Sequence, residues 1–275
     1  MKNANILLCA ALFILIGCGG SEMSTKGSFF KSINDFHIEQ LSEKKIYFGH
    51  QSVGFNIIDG IADLLQTHTK TNLRIVETTT ASDFYEPILG HSTIGQNTDP
   101  SSKIDAFSKY IGSGIGANAD ICLFKFCYID MTANTDVQAL FKNYKNTMDR
   151  LKGAYPRTQF VHVTMPLTAP RPGIMSAVKG SIRKALGKPV SGYDDNINRI
   201  TFNDLLRREY QNKEPLFDLA MLESTYPDGS KTTFKKNGSV YRYLAPDYTN
   251  DGGHLNALGR KLIAEQFLIF LAELP

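Results

Sequence analysis

Tryptophan is absent from this chain, and cysteine is scarce, with 4 among 275 residues. So few thiols exclude a small disulfide-framed scaffold, and a chain of this length buries a core without one. Charge of one sign is also lacking: 30 Lys and Arg stand against 27 Asp and Glu, a net charge of +3. That balance leaves no basic footprint, and no nucleic-acid partner is expected. Internal repeats and low-complexity blocks are missing. With 42% hydrophobic and 21% charged residues, the composition is that of a globular chain rather than a disordered or fibrous one. In place of Trp, 12 Tyr and 17 Phe carry the aromatic surface.

The one long apolar run is N-terminal. Lys2 precedes residues 6–16, which are apolar throughout. At roughly a dozen residues the run is shorter than the about 20 needed for a permanent span, and it reads as a signal peptide over residues 1–17. Its end, Leu15-Ile16-Gly17-Cys18, resembles the lipobox of bacterial lipoproteins. The resemblance implies cleavage before Cys18, acylation of Cys18 by palmitate-type chains, and anchoring to the cell envelope membrane. More than one acyl chain gives stable rather than marginal binding. Gly19, where an Asp would favour the inner membrane, favours the outer one. Residues 18–43 are expected to be a tether and N-terminal extension, polar and flexible at the start. Residues 44–275 are expected to form one domain.

In that domain, strand-like runs alternate with helical patterns. Residues 45–48 are a strand candidate. Residues 55–65 place Ile57, Ile58, Ile61, Leu64 and Leu65 at helical spacing. Residues 73–78 are rich in β-branched side chains, 81–102 read as loop, and 104–111 as a short helix. ICLFKFCY (121–128) is the strongest strand, with Cys122 and Cys127 on opposite faces as unpaired, buried small hydrophobes. Residues 137–151 are helical and 160–165 a strand. A basic helical and loop excursion covers about 166–212, with helices at 174–186 and 196–210. Residues 216–219 are a short strand, 225–249 an irregular or hairpin segment, and 258–271 a final amphipathic helix. This alternation predicts an α/β fold, a mainly parallel sheet covered on both faces. Ligands on such sheets bind outside the carboxyl ends of the strands.

Two segments beside those ends carry chemistry. Gly49-His50-Gln51-Ser52 follows the first strand, and Asp251-Gly252-Gly253-His254-Leu255-Asn256 precedes the last helix. A Ser on a strand-to-helix turn lies near helix-start amides that stabilise an oxyanion. Its hydroxyl needs a base, which His254 supplies, and Asp251 is close enough in one turn to hold the imidazole. An early Ser, a late D-x-x-H and α/β alternation between them resemble the SGNH/GDSL hydrolases over about residues 44–271. The resemblance implies a flavodoxin-like three-layer α/β/α sandwich and ester hydrolysis or acyl transfer without metal or other cofactor. Ser52 is then the nucleophile, His254 the base and Asp251 its orienting partner.

The chain departs from the family pattern at two blocks. Where the family has G-D-S, this sequence has one residue more and no Asp. The family's second block gives a Gly amide to the oxyanion hole; Gly95 is the candidate, with Gly90 the alternative. The third block, G-x-N-D, is matched at Asp130 but lacks its Asn, for which Asn97 on the neighbouring loop is the substitute. The expected oxyanion hole is therefore Ser52, Gly95 and Asn97, with His50, Gln51 and Asp130 as substrate-contact candidates. His50 alternatively hydrogen-bonds within the turn. Lys125 is expected to snorkel to solvent and His91 to be solvated. Asp218 caps a turn or rivals Asp251 as the acid. Tyr226, Tyr241, Tyr243 and Tyr248 precede the Asp-His motif, and such rings stack on sugars.

The function expected is a cell-envelope serine esterase removing acetyl or similar acyl groups from a carbohydrate or small ester. Two alternatives stand beside it: a non-catalytic glycan-binding lipoprotein on the same fold, and an acyltransferase.

Overall fold

The computed structural model describes residues 28–67, 72–169 and 193–275. Six parallel strands form the central sheet, in the order β2-β3-β1-β4-β5-β6. They are β1 (Lys45–His50), β2 (Ile75–Glu77), β3 (Ile88–Thr93), β4 (Ile121–Phe124), β5 (Gln159–Val163) and β6 (Leu216–Phe217). The middle strands are apolar at nearly every position because helices cover both faces. Ile46, Phe48, Leu123 and Val161 point to one core. Tyr47, Cys122, Phe124 and Phe160 point to the other. The first core is closed by α1 (Asp35–Ser42), α2 (Val53–Thr67) and α8 (Ala257–Glu273). The second is closed by α3 (Pro100–Tyr110), α5 (Val137–Ala154) and α6 (Tyr193–Tyr210). Three layers result, and β3-β1-β4-β5-β6 follows the flavodoxin-like order, with β2 added at the edge.

Shorter elements are the turn α4 (Gly116–Asn118), α7 (Leu219–Glu223), and the antiparallel hairpin of β7 (Thr233–Lys236) and β8 (Ser239–Arg242). Asn237 and Gly238 both have positive φ, 49° and 79°, as the two central residues of a tight hairpin turn require. Strand order reverses beside β1: its chain crosses to β2 and β3 on one side, and β4 lies on the other. The carboxyl ends of β1, β3 and β4 flank that reversal, the place where open α/β sheets bind their ligands in a crevice.

Several expectations are corrected. Residues 81–102 are not loop throughout: they hold a 3-10 turn (Ala81–Tyr85), all of β3 and the start of α3. The strand at 121–128 ends at Phe124, so Cys127 lies beyond it; Cys122 and Cys127 are both free and buried. Lys125 does not snorkel. It is fully buried, and its Nζ donates to the Phe126 carbonyl at 3.1 Å and to Cys127 Sγ at 3.7 Å. Residues 35–42, expected within the extension, form α1, capped by Asn34. Cys18, the signal peptide and the helix expected at 174–186 lie outside the described residues.

Candidate active site

Ser52 sits between β1 and α2 with φ of 54°, in the left-handed region that a side chain disfavours. The turn is tight: the amides of Gly54 and Phe55 donate back to the carbonyls of Gln51 and Ser52 at 3.0 and 2.8 Å. A Cβ on Gly54 would lie 2.4 Å from that of His50, so only glycine lets the chain fold back over the strand end. The Ser52 hydroxyl is thereby held at the mouth of the crevice, just ahead of the first turn of α2.

His254 and Asp251 reach it from the segment before α8. Asp251 Oδ1 accepts the backbone N–H groups of Gly253 and His254, each at 2.8 Å. Its Oδ2 meets His254 Nδ1 at 2.6 Å, and His254 Nε2 lies 2.9 Å from Ser52 Oγ. Burial works to raise the Asp251 carboxyl, but the hydrogen bonds from the His254 side chain and from the two amides outweigh it and hold the group well below the usual carboxylate range. An ionised Asp251 accepts a hydrogen bond from Nδ1–H, which keeps the proton on that nitrogen and leaves the Nε2 lone pair facing the serine hydroxyl. Asn56 on α2 fastens this segment, accepting the Leu255 amide at 3.1 Å. Asn256 caps α8 by accepting from the Gly259 amide at 3.0 Å.

The loop after β3 lies against the serine turn. Gln51 Nε2 donates to the carbonyls of Ile94 and Gly95 at 2.7 and 2.6 Å, so Gln51 ties the two loops together. Gly95 has φ of 53°, and a Cβ there would come within 2.5 Å of the Lys103 nitrogen. Among the described residues the amides of Ser52 and Gly95 and the Asn97 carboxamide nitrogen donate to no protein group. Asn97 Oδ1 accepts from Lys103 Nζ at 3.0 Å, which orients its amide nitrogen away from the lysine. These are the three donors the sequence placed in an oxyanion hole.

Asp130 does not face the crevice. It is buried, paired with the fully buried Lys103 at 2.6 Å, and it accepts the amides of Thr98 at 3.0 Å and Cys127 at 2.7 Å. It holds the loops after β3 and β4 rather than a ligand. His50 is also fully buried, its Nε2 3.1 Å from His91 Nδ1. Burial first, then Lys125 and His91, depress its pKa to about 2, so it is neutral. His91 is buried in this pair and not solvated. Asp218 caps α7, accepting the Met221 amide, and is paired with Arg207 rather than with any histidine.

Four residues at or beneath the site were not read from the sequence as part of it: Asn56, Lys103, Tyr128 and Arg199. Tyr128 follows β4, with its hydroxyl 3.5 Å from His254 Nε2 and its ring edge-on to the imidazole. Its place two residues before Asp130, within the third block, is the one signal that pointed there. Arg199 is buried below, donating to the Tyr128 carbonyl from Nε at 2.8 Å.

A buried acid supports the floor. Glu223 on α7 is fully buried, accepts the Leu167 amide, and has a second oxygen with no partner among the described residues. Burial raises its pKa from 4.5 to about 8, against the Leu167 amide and the charges of Lys125 and Arg199. The folded chain therefore keeps this proton where the unfolded chain has lost it. The Glu223 contribution to stability falls as pH rises from about 4.5 to about 8. Glu223→Gln is expected to flatten that dependence, so that the variant gains on the order of 2–4 kcal/mol on the parent between those limits, measured by urea unfolding at each pH.

No family model and no curated protein sequence matches the chain. Solved structures do. The periplasmic domain of a lipopolysaccharide acetyltransferase from Salmonella ser. Paratyphi A is 12% identical with a TM-score of 0.46, over 86% of this chain and 88% of that one. An acetyl esterase S10A mutant with acetate ion is 12% identical with a TM-score of 0.45, over 83% and 97%. A lipolytic protein assigned to the G-D-S-L family from Desulfitobacterium hafniense DCB-2 is 9% identical with a TM-score of 0.43, over 82% and 99%. The structural neighbours of this α/β chain are thus SGNH/GDSL hydrolases, acetylesterases and acyltransferases.

Proposed function

We propose that this chain is a serine esterase that removes acetyl or similar small acyl groups from a carbohydrate at the cell envelope. The observation that carries the reading is the continuous relay Asp251–His254–Ser52, with contacts of 2.6 and 2.9 Å. His254 Nε2 takes the Ser52 proton as Oγ attacks the ester carbonyl carbon. The developing oxyanion is met by the amides of Ser52 and Gly95 and the Asn97 amide nitrogen, at the start of α2. Collapse breaks the bond to the alcohol, which takes the proton from His254. Water then attacks the acyl carbon as the same nitrogen takes its proton, the bond to Oγ breaks, and His254 returns that proton to Oγ as the acid leaves.

The side chains of His254 and Asp251 are 45% and 55% exposed, which supports a bulky acyl carrier such as a glycan over a small ester sealed in a cavity. The envelope address rests on Lys2, the run at 6–16 and Cys18.

A fluorophosphonate probe on the chain from Ser21 onward tests the relay. An adduct is expected on Ser52, located by peptide mass spectrometry, and lost in Ser52→Ala and His254→Ala. A folded protein with no adduct overturns the esterase reading.

A further inference from the structure

We propose that Tyr128 is a further catalytic residue, whose phenol hydroxyl hydrogen-bonds the departing alcohol oxygen of the substrate. The assignment rests on the serine esterase reading and extends it to the leaving-group side of the site. His254 Nε2 receives the serine proton and returns it to the leaving oxygen, so that oxygen must pass within hydrogen-bond reach of Nε2. Two protein oxygens border that position. Ser52 Oγ is 2.9 Å from Nε2, and Tyr128 Oη is 3.5 Å from it. Tyr128 also has Ser52 as a side-chain hydrogen-bond partner, so its hydroxyl lies beside both Oγ and Nε2, and once Oγ is bonded to the acyl carbon the phenol proton turns to the leaving oxygen that arrives there. Burial first, and the Asp251 charge next, raise the Tyr128 pKa, which keeps that proton on the oxygen.

The ring is placed rather than merely accommodated. Gly253 faces it so closely that a Cβ would meet Cζ at 2.6 Å and Oη at 2.7 Å. Arg199 lies 5.9 Å from the ring centroid and donates from Nε to the Tyr128 carbonyl at 2.8 Å. Arg199 is itself fixed by Asn196 Oδ1 at 2.6 Å and Thr168 Oγ1 at 3.0 Å. The β4 loop, α6 and the segment before α8 therefore converge on one hydroxyl.

The proton balance is simple. In acylation the carbon–oxygen bond to the alcohol breaks, its electron pair stays on the leaving oxygen, and the proton comes from His254. Tyr128 keeps its own proton and donates only a hydrogen bond while negative charge builds. In deacylation the same hydroxyl contacts the attacking water. This help matters for an alcohol that leaves poorly, such as a sugar hydroxyl, and hardly for an aryl oxide that leaves unaided.

The test compares Tyr128→Phe with the parent on an alkyl acetate and on p-nitrophenyl acetate, using kcat/KM, which reports acylation. The expected result is a loss of about 10–100-fold on the alkyl acetate and less than about 3-fold on the nitrophenyl ester, hence a steeper dependence on leaving-group pKa. Gly253→Ala, which pushes the phenol aside, is expected to change the two substrates in the same unequal way. Equal losses on both esters, or none, with Ser52 still labelled by the fluorophosphonate, overturn the role of Tyr128 alone. A parent protein that neither labels at Ser52 nor cleaves either ester overturns this assignment together with the esterase reading.

Discussion

Ser52→Ala is expected to lower kcat for acetyl-ester hydrolysis by about 10⁴-fold or more, with KM nearly unchanged and the fold intact. The size follows from what the substitution removes. Without Oγ there is no covalent path, and His254 and Asp251 have no proton to move. What survives is the oxyanion stabilisation from backbone amides, which the Ser52→Ala chain still presents. The unchanged fold follows from the local geometry. Ala has no polar group to leave unpaired, and the turn is held by Gly54, by Gln51 and by the backbone bonds between Gln51, Ser52, Gly54 and Phe55. The left-handed φ of 54° is borne equally by Ala and Ser. Steady-state kinetics on a soluble acetyl ester, with circular dichroism of both proteins, checks it. Retained hydrolysis after Ser52→Ala overturns the nucleophile assignment.

What the sequence made legible, and what it hid, divide along a physical line. The helix α2 announces itself because Ile57, Ile61 and Leu64 recur at helical spacing on one buried face. The strands β1, β4 and β5 stand out because burial on both faces makes them apolar runs. The strand β3 has no such run. Its buried Gly90, His91 and Ser92 are kept in the sheet by partners far along the chain: Tyr47 Oη meets Ser92 Oγ at 2.8 Å, and His50 meets His91. A polar residue satisfied only by tertiary contacts looks like loop in one dimension.

The site divides in the same way. Asp251 and His254 fall within one turn, so their pairing is local and readable. Lys103 and Asp130 lie 27 positions apart and meet only because α3 and the loop after β4 pack side by side. The missing acid of the first block also finds a reason: His50 stands there buried and neutral, away from the crevice.

Lys103→Met is expected to destabilise the chain by about 3–5 kcal/mol and to depress esterase activity in the molecules that remain folded. Lys103 and Asp130 are a fully buried ion pair at 2.6 Å. Removing the cation leaves a buried carboxylate with no directly paired charge, only the more distant Lys125 and Arg199, a larger loss than that of any exposed pair. Buried pairs are often replaced by apolar residues without net cost, and the double variant Lys103→Met/Asp130→Leu asks whether this one is. It is expected to stay destabilised, because Asp130 also accepts the amides of Thr98 and Cys127. Each of those N–H groups, left buried and unpaired, costs about 1–3 kcal/mol. The activity loss has a separate origin. Lys103 also grips Asn97 Oδ1, so the single variant frees the carboxamide to rotate and one oxyanion donor loses its aim. Denaturant midpoints at constant slope give the first effect, and kcat at a temperature where both proteins are folded gives the second. A Lys103→Met protein as stable as the parent shows the pair to be dispensable. One that is unstable but fully active per folded molecule separates the pair from the orientation of Asn97.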